Sequence, residues 1–139
     1  MKMDTLIREV TRDEGVRLKP YRCTAGKLTI GIGRNLDDRG ISRTEAEFLL
    51  SNDLSDAFVD LDKTIPWWRE LDEVRQRALA NMCFNLGISR LLGFRNMLRY
   101  LERGRWLEAA QAAAASRWAT QVGPRAERIV VMLRDGGDA

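Results

Sequence analysis

Hydrophobic residues recur at two different spacings in the first part of this chain, and the change of spacing predicts a change of structure. Leu6, Ile7 and Val10 share one face of a helix predicted over residues 4–13. Between residues 19 and 33, apolar residues alternate with threonine and glycine in the segment KLTIGIG. Such alternation is typical of a strand, so we expect a small antiparallel sheet directly after the first helix.

The rest of the chain shows helical spacing almost throughout. The segment SRTE, Ser42 to Glu45, has the form of a capping box and begins a long helix that ends before Pro66. Apolar stripes then predict helices over 71–86, 94–103 and 105–115, a short turn around 116–118, and a last helix from Pro124. The pattern predicts an α+β, mostly helical fold with a small β-containing lobe, a connecting helix and a helical lobe.

Composition is typical of a globular protein that needs no bound group to fold. Hydrophobic residues make up 45% of the chain and charged residues 31%, and no apolar run approaches the roughly 18 residues of a membrane span. The charged start lacks the apolar core of a secretory signal, so we expect the protein to be made and kept in the cytoplasm. Two cysteines 60 positions apart and the absence of histidine favour reduced thiols and predict no metal site and no cofactor.

Positive charge is concentrated towards the end of the sequence. The net charge is +3, and residues 89–139 hold 9 arginines against 5 acidic side chains. A cationic surface suits nucleic acid and bacterial cell wall alike, and it can equally serve only to keep a protein soluble. The charge by itself therefore selects no partner.

Three side chains that could carry chemistry lie in the segment DEGVRLKPYRCTAGKLT. Glu14 stands where the first helix ends, at the negative end of the helix dipole, which favours the protonated form that a glycosidase acid needs. Eight residues separate it from Cys23, and five more separate Cys23 from Thr29. Strand alternation places Thr29 on the face of Gly31 and Gly33, where a ligand could approach the backbone. For each residue taken alone, a surface or bulge position is the commoner explanation.

Other patterns exclude some kinds of site. The segment GIGRNL has Leu36 where a dinucleotide loop needs its third glycine. Asp53, Asp56 and Asp60 share one side of the long helix without a twelve-residue calcium loop, so we expect a solvated face. The segments SRW and PRAER bring arginines and an aromatic ring to one C-terminal corner, which suits sugars, nucleic acid or simple ion pairs.

The order of these motifs is similar to that of a known family. The segments DEG, TIGIG, LDEVRQRALANMCFNLG, and SRW followed by PRAER occur at matching spacing between about residues 6 and 134. On these residues the chain resembles the phage-type lysozymes, family 24 of the glycoside hydrolases. The resemblance implies a lysozyme-like, two-lobe domain over 1–139: a β-containing lobe at 15–41, a connecting helix at 42–64, and a helical lobe at 65–139 on which the helix 4–13 packs.

The resemblance also implies an activity and the residues that carry it. Enzymes of this family are muramidases, which hydrolyse the β-1,4 bond between N-acetylmuramic acid and N-acetylglucosamine in peptidoglycan without a cofactor. Glu14 matches their general acid, Thr29 the threonine that positions water, and Arg125 the arginine that pairs with the acid. Arg128 matches an arginine that pairs with the aspartate beside the acid, here Asp13. Further positions that match the sugar cleft or its support are Gly33, Arg34, Phe84, Asn85, Arg117 and Trp118.

Two positions depart from the pattern of the best-known members. Cys23 stands where they have aspartate, and Arg34 stands where they have histidine. In one mechanism, Glu14 protonates the leaving oxygen while Thr29 and Cys23 orient a water molecule; in the other, the Cys23 thiolate attacks the sugar. We favour the first, because a thiolate close to Glu14 would be destabilised by like-charge repulsion.

The resemblance further implies a role in lysis. We expect a phage or prophage endolysin that is made in the host cytoplasm and reaches the periplasmic cell wall after a holin opens the inner membrane. Its partner is peptidoglycan, and we expect a monomer without nucleic acid and without stable membrane association. Two alternatives stay open: a lysozyme-like protein inactivated by Cys23, and an arginine-rich helical module that binds a partner without hydrolysis.

Overall fold

A helix and a three-stranded sheet make up the first of two units, residues 1–49, in a computed structural model that describes residues 1–136. Helix α1 (Met3–Glu14) ends at Gly15, whose backbone N–H donates to the Thr11 carbonyl oxygen at 2.8 Å. The strands β1 (Arg17–Arg22), β2 (Leu28–Gly31) and β3 (Arg34–Asn35) are antiparallel, with β2 in the centre. The predicted first helix and the small antiparallel sheet are both confirmed.

Strand β1 contains a proline, which an edge strand can accommodate. Arg17 pairs with Gly31 and Tyr21 pairs with Thr29, so the register shifts between the two pairs. Pro20 lies within this irregular stretch. Since proline has no N–H to donate, it fits where the ladder of hydrogen bonds is already interrupted.

The turn between β2 and β3 begins earlier than the alternation of the sequence predicts. Gly31 and Gly33 have φ angles of 73° and 70°, so the extended conformation stops at Gly31 and a two-residue turn follows. Thr29 is the buried residue of β2, at 4% exposure, whereas Ile32 in the turn is 46% exposed. The alternating faces expected as far as Gly33 therefore do not extend past the end of β2.

Helix α2 (Arg43–Thr64) begins with the predicted capping box. The Ser42 hydroxyl accepts from the Glu45 backbone N–H at 3.1 Å, and Glu45 Oε1 accepts from the Ser42 backbone N–H at 2.8 Å. The helix ends before Pro66, as expected. The division between the two units falls within this helix, after Leu49. The predicted lobe boundaries, the connecting role of this helix and the packing of the first helix on the helical lobe stay predictions.

The second unit is helical. A 3-10 segment at Pro66–Glu70 precedes helices α3 (Glu73–Leu86), α4 (Ile88–Leu92), α5 (Arg95–Glu102), α6 (Trp106–Ala114), α7 (Arg117–Val122) and α8 (Pro124–Asp135). The turn expected at 116–118 is instead the start of a helix, because the Ser116 hydroxyl caps it by accepting from the Ala119 backbone N–H at 3.3 Å. Nowhere in residues 1–136 is a helix both long and apolar enough to cross a membrane.

Helix α6 lies at the centre of this unit, where it packs against α5 and α8. Its buried residues are alanines, Ala109, Ala110 and Ala113, whose small side chains let neighbouring helices approach closely. The large, fully buried side chains around them are Leu61, Leu79, Met82, Leu91, Met97, Leu101, Ile129 and Leu133. The predicted α+β, mostly helical fold class is confirmed.

One charged side chain, Arg75, is buried in the second unit at 6% exposure. Its Nε and Nη2 donate to the carbonyl oxygens of Leu133 and Arg134 at 2.7 and 2.8 Å, and Nη1 donates to Asp72 Oδ1 at 2.8 Å. The guanidinium also lies over the Trp106 ring, 3.9 Å from its centroid. Arg75 thus satisfies carbonyl groups that the end of α8 would otherwise leave unpaired.

Replacing this arginine is expected to destabilise the protein markedly. Arg75→Ala removes both bonds to the end of α8 in a buried place, which should lower the free energy of unfolding by about 3 kcal/mol, measured by urea denaturation. The matched control is Arg134→Ala, which removes an exposed ion pair with Asp135 at the same helix end and should cost less than about 1 kcal/mol. Equal losses for the two variants would contradict a capping role for Arg75.

Candidate active site

The end of α1 and the turn after β2 bring Glu14 and Gly33 into contact. A Cβ atom added to Gly33 would lie 2.7 Å from Glu14 Oε2 and 2.8 Å from Glu14 Cδ. Atoms do not approach so closely without displacement, so a side chain at residue 33 would push the carboxylate away. The predicted acid therefore lies directly against the backbone of a residue predicted to support the cleft.

Cys23 and Thr29 lie together next to the turn between β1 and β2. The Cys23 backbone N–H donates to the Lys27 carbonyl oxygen at 2.9 Å, which closes the turn. Hydrogen bonds from the backbone of Lys27, then from Ala25, and from the Thr29 hydroxyl outweigh burial and lower the pKa of the Cys23 thiol. The sulfur consequently carries more negative charge near neutral pH than an ordinary cysteine does.

The Thr29 hydroxyl is held in a defined direction. Thr29 Oγ1 donates to the Lys27 carbonyl oxygen at 2.8 Å. A hydroxyl has one proton and two lone pairs, so this bond leaves the lone pairs of Thr29 able to accept from a water molecule. The hydroxyl can instead rotate to donate to a Cys23 thiolate, but its single proton cannot bond to the Lys27 carbonyl oxygen and the thiolate at the same time. The two side chains thus form a polar pair suited to holding water.

Arg34 forms an ion pair within the first unit. Its Nη1 and Nη2 donate to Glu45 Oε1 and Oε2 at 2.8 and 2.5 Å, and Nη1 also donates to the Gly40 carbonyl oxygen at 3.2 Å. The guanidinium of Arg34, followed by hydrogen bonds from Ser42, lowers the pKa of Glu45 from 4.5 to about 2. The sequence did not decide whether Arg34 lines the cleft or pairs with an acid, and the structure pairs it with Glu45.

Acidic side chains after β3 hold the beginning of β2. Asp37 Oδ2 accepts from the Leu28 backbone N–H at 2.7 Å, and Asp38 Oδ1 accepts from Lys27 Nζ at 3.1 Å. These bonds tie the segment after the sheet to the turn that carries Cys23. Asp37 and Asp38 were not predicted from the sequence, because an acidic residue in a loop has no distinguishing pattern. The capping role of Glu45 was predicted, but its pairing with Arg34 was not.

In the second unit, Asn85 and Trp118 are hydrogen-bonded to each other. Trp118 Nε1 donates to Asn85 Oδ1 at 2.9 Å, and the Trp118 ring packs edge-on against Phe94 with centroids 6.0 Å apart. Trp118 is buried, whereas the neighbouring Phe84 is 41% exposed. The sequence placed Asn85, Trp118 and Phe84 at matching positions of a family cleft, and the structure joins the first two directly.

Arg125 has a partner that the sequence did not reveal. Its Nε donates to Asn81 Oδ1 at 2.9 Å, one helical turn before Asn85 on α3. The pairing of Arg125 with Glu14, which the family resemblance implies, stays a prediction, as does that of Arg128 with Asp13.

A cavity of about 680 Å³ opens beside Arg117 and Trp118. Its other polar lining residues include Arg90, Asn96 and Gln121, which come from helices α4, α5 and α7. These three were missed in the sequence, because only tertiary packing brings the helices together. The cavity offers both arginine and amide groups to a polar ligand.

A smaller cavity of about 330 Å³ is lined by Asp53, Asp56, Asp60 and Cys83. Burial, then the nearby Asp60 carboxylate, raises the pKa of the Cys83 thiol. The surroundings of Cys83 therefore disfavour its thiolate form, whereas those of Cys23 favour it. Among residues 1–136, no group of three or more histidine, cysteine, aspartate or glutamate side chains is arranged to hold a metal ion.

Comparison with known proteins identifies one family model and several proteins to which this chain is similar. Residues 11–132 match the family model described as phage lysozyme. Probable T4-type lysozyme 1 of Dictyostelium discoideum is 30% identical over 89% of this chain and 90% of its own length. The pre-baseplate central spike protein Gp5 of Enterobacteria phage T4 is 31% identical over 98% of this chain, which spans only 28% of the spike protein. The endolysin of Acyrthosiphon pisum secondary endosymbiont phage 1 is 31% identical over 58% of the chain and 56% of its own length.

The Arg34–Glu45 pair should make stability depend on pH in the acid range. Because the pKa of Glu45 is about 2 in the folded protein and ordinarily 4.5, the unfolded chain takes up the proton first as the pH falls. The stabilisation is complete above pH 4.5 and is lost as the pH falls through about 2. We expect the urea midpoint to fall more steeply between about pH 5 and about pH 2.5 in the unmodified protein than in Glu45→Gln.

The control for this measurement is Glu47→Gln, which lies on the same helix and pairs with Arg43 at the surface. It should keep the steep acid dependence of the unmodified protein, because an exposed pair contributes little. Parallel curves for the unmodified protein and Glu45→Gln would show that the Arg34–Glu45 pair does not couple stability to pH.

Proposed function

This chain belongs to the phage lysozyme family, and on that premise we propose that it is a muramidase acting on peptidoglycan. The reaction is hydrolysis of the β-1,4 bond between N-acetylmuramic acid and N-acetylglucosamine. The resemblance seen in the sequence is confirmed, and the family supports the assignment to glycosidases that hydrolyse peptidoglycan. The spike protein is a much longer relative, so nothing of its assembly role is transferred to this chain.

The observation that carries the proposal is the contact between Glu14 and Gly33. Glu14 ends α1, and its carboxylate lies beside the backbone of a two-residue turn, where a glycosidic oxygen bound at the turn would meet a proton donor. Cys23 and Thr29 lie in the same unit, where they form the polar pair beside β2. The roles that we propose for these three residues rest on that arrangement together with the family resemblance.

In the proposed mechanism, Glu14 donates its proton to the leaving glycosidic oxygen. A water molecule, held by the Thr29 hydroxyl and by the Cys23 sulfur, attacks the anomeric carbon from the opposite side as the bond to the leaving oxygen breaks, and it releases its proton to the solvent. The lowered pKa of Cys23 supports this role, because a sulfur with more thiolate character is a better hydrogen-bond acceptor.

Direct attack by the Cys23 thiolate is the competing mechanism, in which a glycosyl-enzyme forms and is then hydrolysed. The lowered pKa of the thiol is compatible with both mechanisms, because it increases the fraction of thiolate for either role. We propose that Cys23 orients water, because the Thr29 hydroxyl beside it leaves lone pairs that can accept from the same water molecule.

The remaining proposed roles concern the second unit and the cell. Asn85, Trp118 and Arg117 would hold the sugar chain, with Phe84 and Arg125 beside it, while Gly33 and Arg34 support the acid. We propose synthesis in the host cytoplasm, release by a holin, and action on the periplasmic wall as a monomer. The excess of arginine in residues 89–139 supports attraction to an anionic wall.

The catalytic assignment is tested by Glu14→Gln in a turbidity assay on permeabilised Gram-negative cells. Loss of the only proposed proton donor should slow clearing by at least about 100-fold, since general acid catalysis contributes 10²-fold or more. Glu9→Gln, an exposed change on the same helix, should clear like the unmodified protein. Equal clearing by Glu14→Gln would overturn the assignment, and no clearing by any of the proteins would favour a non-catalytic binding module.

The mechanism is tested by proton NMR of the freshly cleaved sugar. Attack by water from the opposite side inverts the anomeric carbon, so the first product of a β-1,4 cleavage should be the α-anomer. A β-anomer as the first product would replace the water mechanism by the covalent thiolate mechanism. Spectra must be collected before mutarotation equilibrates the two forms.

A further inference from the structure

The turn that touches Glu14 has little support from the sheet itself. Strand β3 consists of only Arg34 and Asn35, which pair with Ile30 and Thr29 of β2. A further backbone bond, from the Leu36 N–H to the Leu28 carbonyl oxygen at 2.7 Å, and the bond from the Leu28 N–H to Asp37 lie at the end of this short ladder away from the turn. An anchor beside the turn therefore adds to what the ladder provides.

Arg34, the residue directly after Gly33, supplies that anchor. It donates to both carboxylate oxygens of Glu45 and to the Gly40 carbonyl oxygen. Such a two-point contact fixes the direction of the guanidinium as well as its distance. The Arg34 side chain is 22% exposed and that of Glu45 is 40% exposed, so solvent still reaches one side of the pair.

Glu45 is itself held by the start of α2. Its Oε1 accepts from the Ser42 backbone N–H at 2.8 Å, while both oxygens accept from Arg34. A continuous set of contacts thus leads from the first turn of α2 through Glu45 and Arg34 to Gly33 and Glu14. All of these residues lie within the first unit.

We propose that Glu45 is a positioning residue of the active site, which acts through Arg34 to hold the Gly33 turn against Glu14. The proposal rests on the proposed role of Glu14 as the acid. Glu45 does not meet the substrate in this role. Its effect is on the geometry of proton donation, where a displacement of about 1 Å can lower a rate by about 100-fold.

The proposal predicts a change in kcat rather than in KM. Glu45→Gln keeps a carbonyl oxygen that can complete the capping box, but it has no charge, and its NH₂ group cannot accept the second hydrogen bond from Arg34. We expect kcat on solubilised, dye-labelled peptidoglycan to fall about 10-fold while KM changes less than about twofold. Assays are run well below the melting temperature measured for each variant, so that unfolding does not contribute.

Arg34→Lys provides an independent test from the other side of the pair. Lysine keeps the positive charge but cannot make the two-point contact, so kcat should fall to a similar extent. The double variant Arg34→Lys, Glu45→Gln should lose no more than the worse single variant, because both changes break the same contact. Full additivity of the two losses would overturn the proposal.

Two control variants separate positioning from helix capping and from surface charge. Ser42→Ala removes the hydroxyl cap of α2 and leaves both bonds between Arg34 and Glu45, so it should lower the melting temperature while kcat falls less than in Glu45→Gln. Glu47→Gln removes a negative charge from the same helix and should also leave kcat unchanged within about twofold.

The variants of Glu14 and Glu45 show separately whether the catalytic assignment of Glu14 or the positioning role of Glu45 is wrong. If Glu14→Gln is inactive and Glu45→Gln keeps kcat within about twofold of the unmodified protein, the positioning role is wrong and the catalytic assignment stands. A loss of kcat in Ser42→Ala as large as that in Glu45→Gln would also overturn the positioning role. If Glu14→Gln stays active, the failure lies in the proposed function.

Discussion

The close approach of the Glu14 carboxylate to the backbone of Gly33 is the constraint on which the first unit depends. No side chain can occupy position 33 while the carboxylate stays where it is. The turn must therefore consist of a residue that tolerates a positive φ and has no Cβ, which only glycine provides without strain. Glu14 comes from the end of α1 and Gly33 from the turn after β2, so the fold of the first unit brings these two groups together.

A different interaction stabilises the second unit. Arg75 is buried, but its donors meet two carbonyl oxygens at the end of α8 and the Asp72 carboxylate, and its face covers Trp106. A buried charge is tolerated only when it is paired and hydrogen-bonded in this way. The alanines of α6 let α5 and α8 pack closely against it, and the bond from Trp118 to Asn85 separately joins α7 to α3.

The most informative departure from the family pattern is the sulfur of Cys23. A carboxylate accepts hydrogen bonds from water without further help, whereas an ordinary thiol is mostly neutral near pH 7 and accepts poorly. The backbone of the turn compensates by donating hydrogen bonds that lower the pKa of Cys23. Cys83, buried near Asp60, has its pKa raised instead. The surroundings, more than the residue type, thus decide what each thiol can do.

The sequence by itself determined the class of the fold and most of its elements. The first helix, the capping box at Ser42, the break at Pro66 and the last helix after Pro124 follow from local rules of spacing and capping, which act over a few residues. The motif order also determined the family. Helix α4 was missed, since a five-residue segment between two glycines shows too little of a helical period.

Only the tertiary structure decided which side chains contact one another. Arg34 could have faced a ligand, and only the folded chain brings Glu45, 11 residues later, to its guanidinium. The contact of Glu14 with Gly33, the bond from Arg125 to Asn81 and the cap formed by Arg75 on α8 join residues far apart in the chain. Sequence spacing cannot encode such pairs directly, because their geometry depends on how whole elements pack.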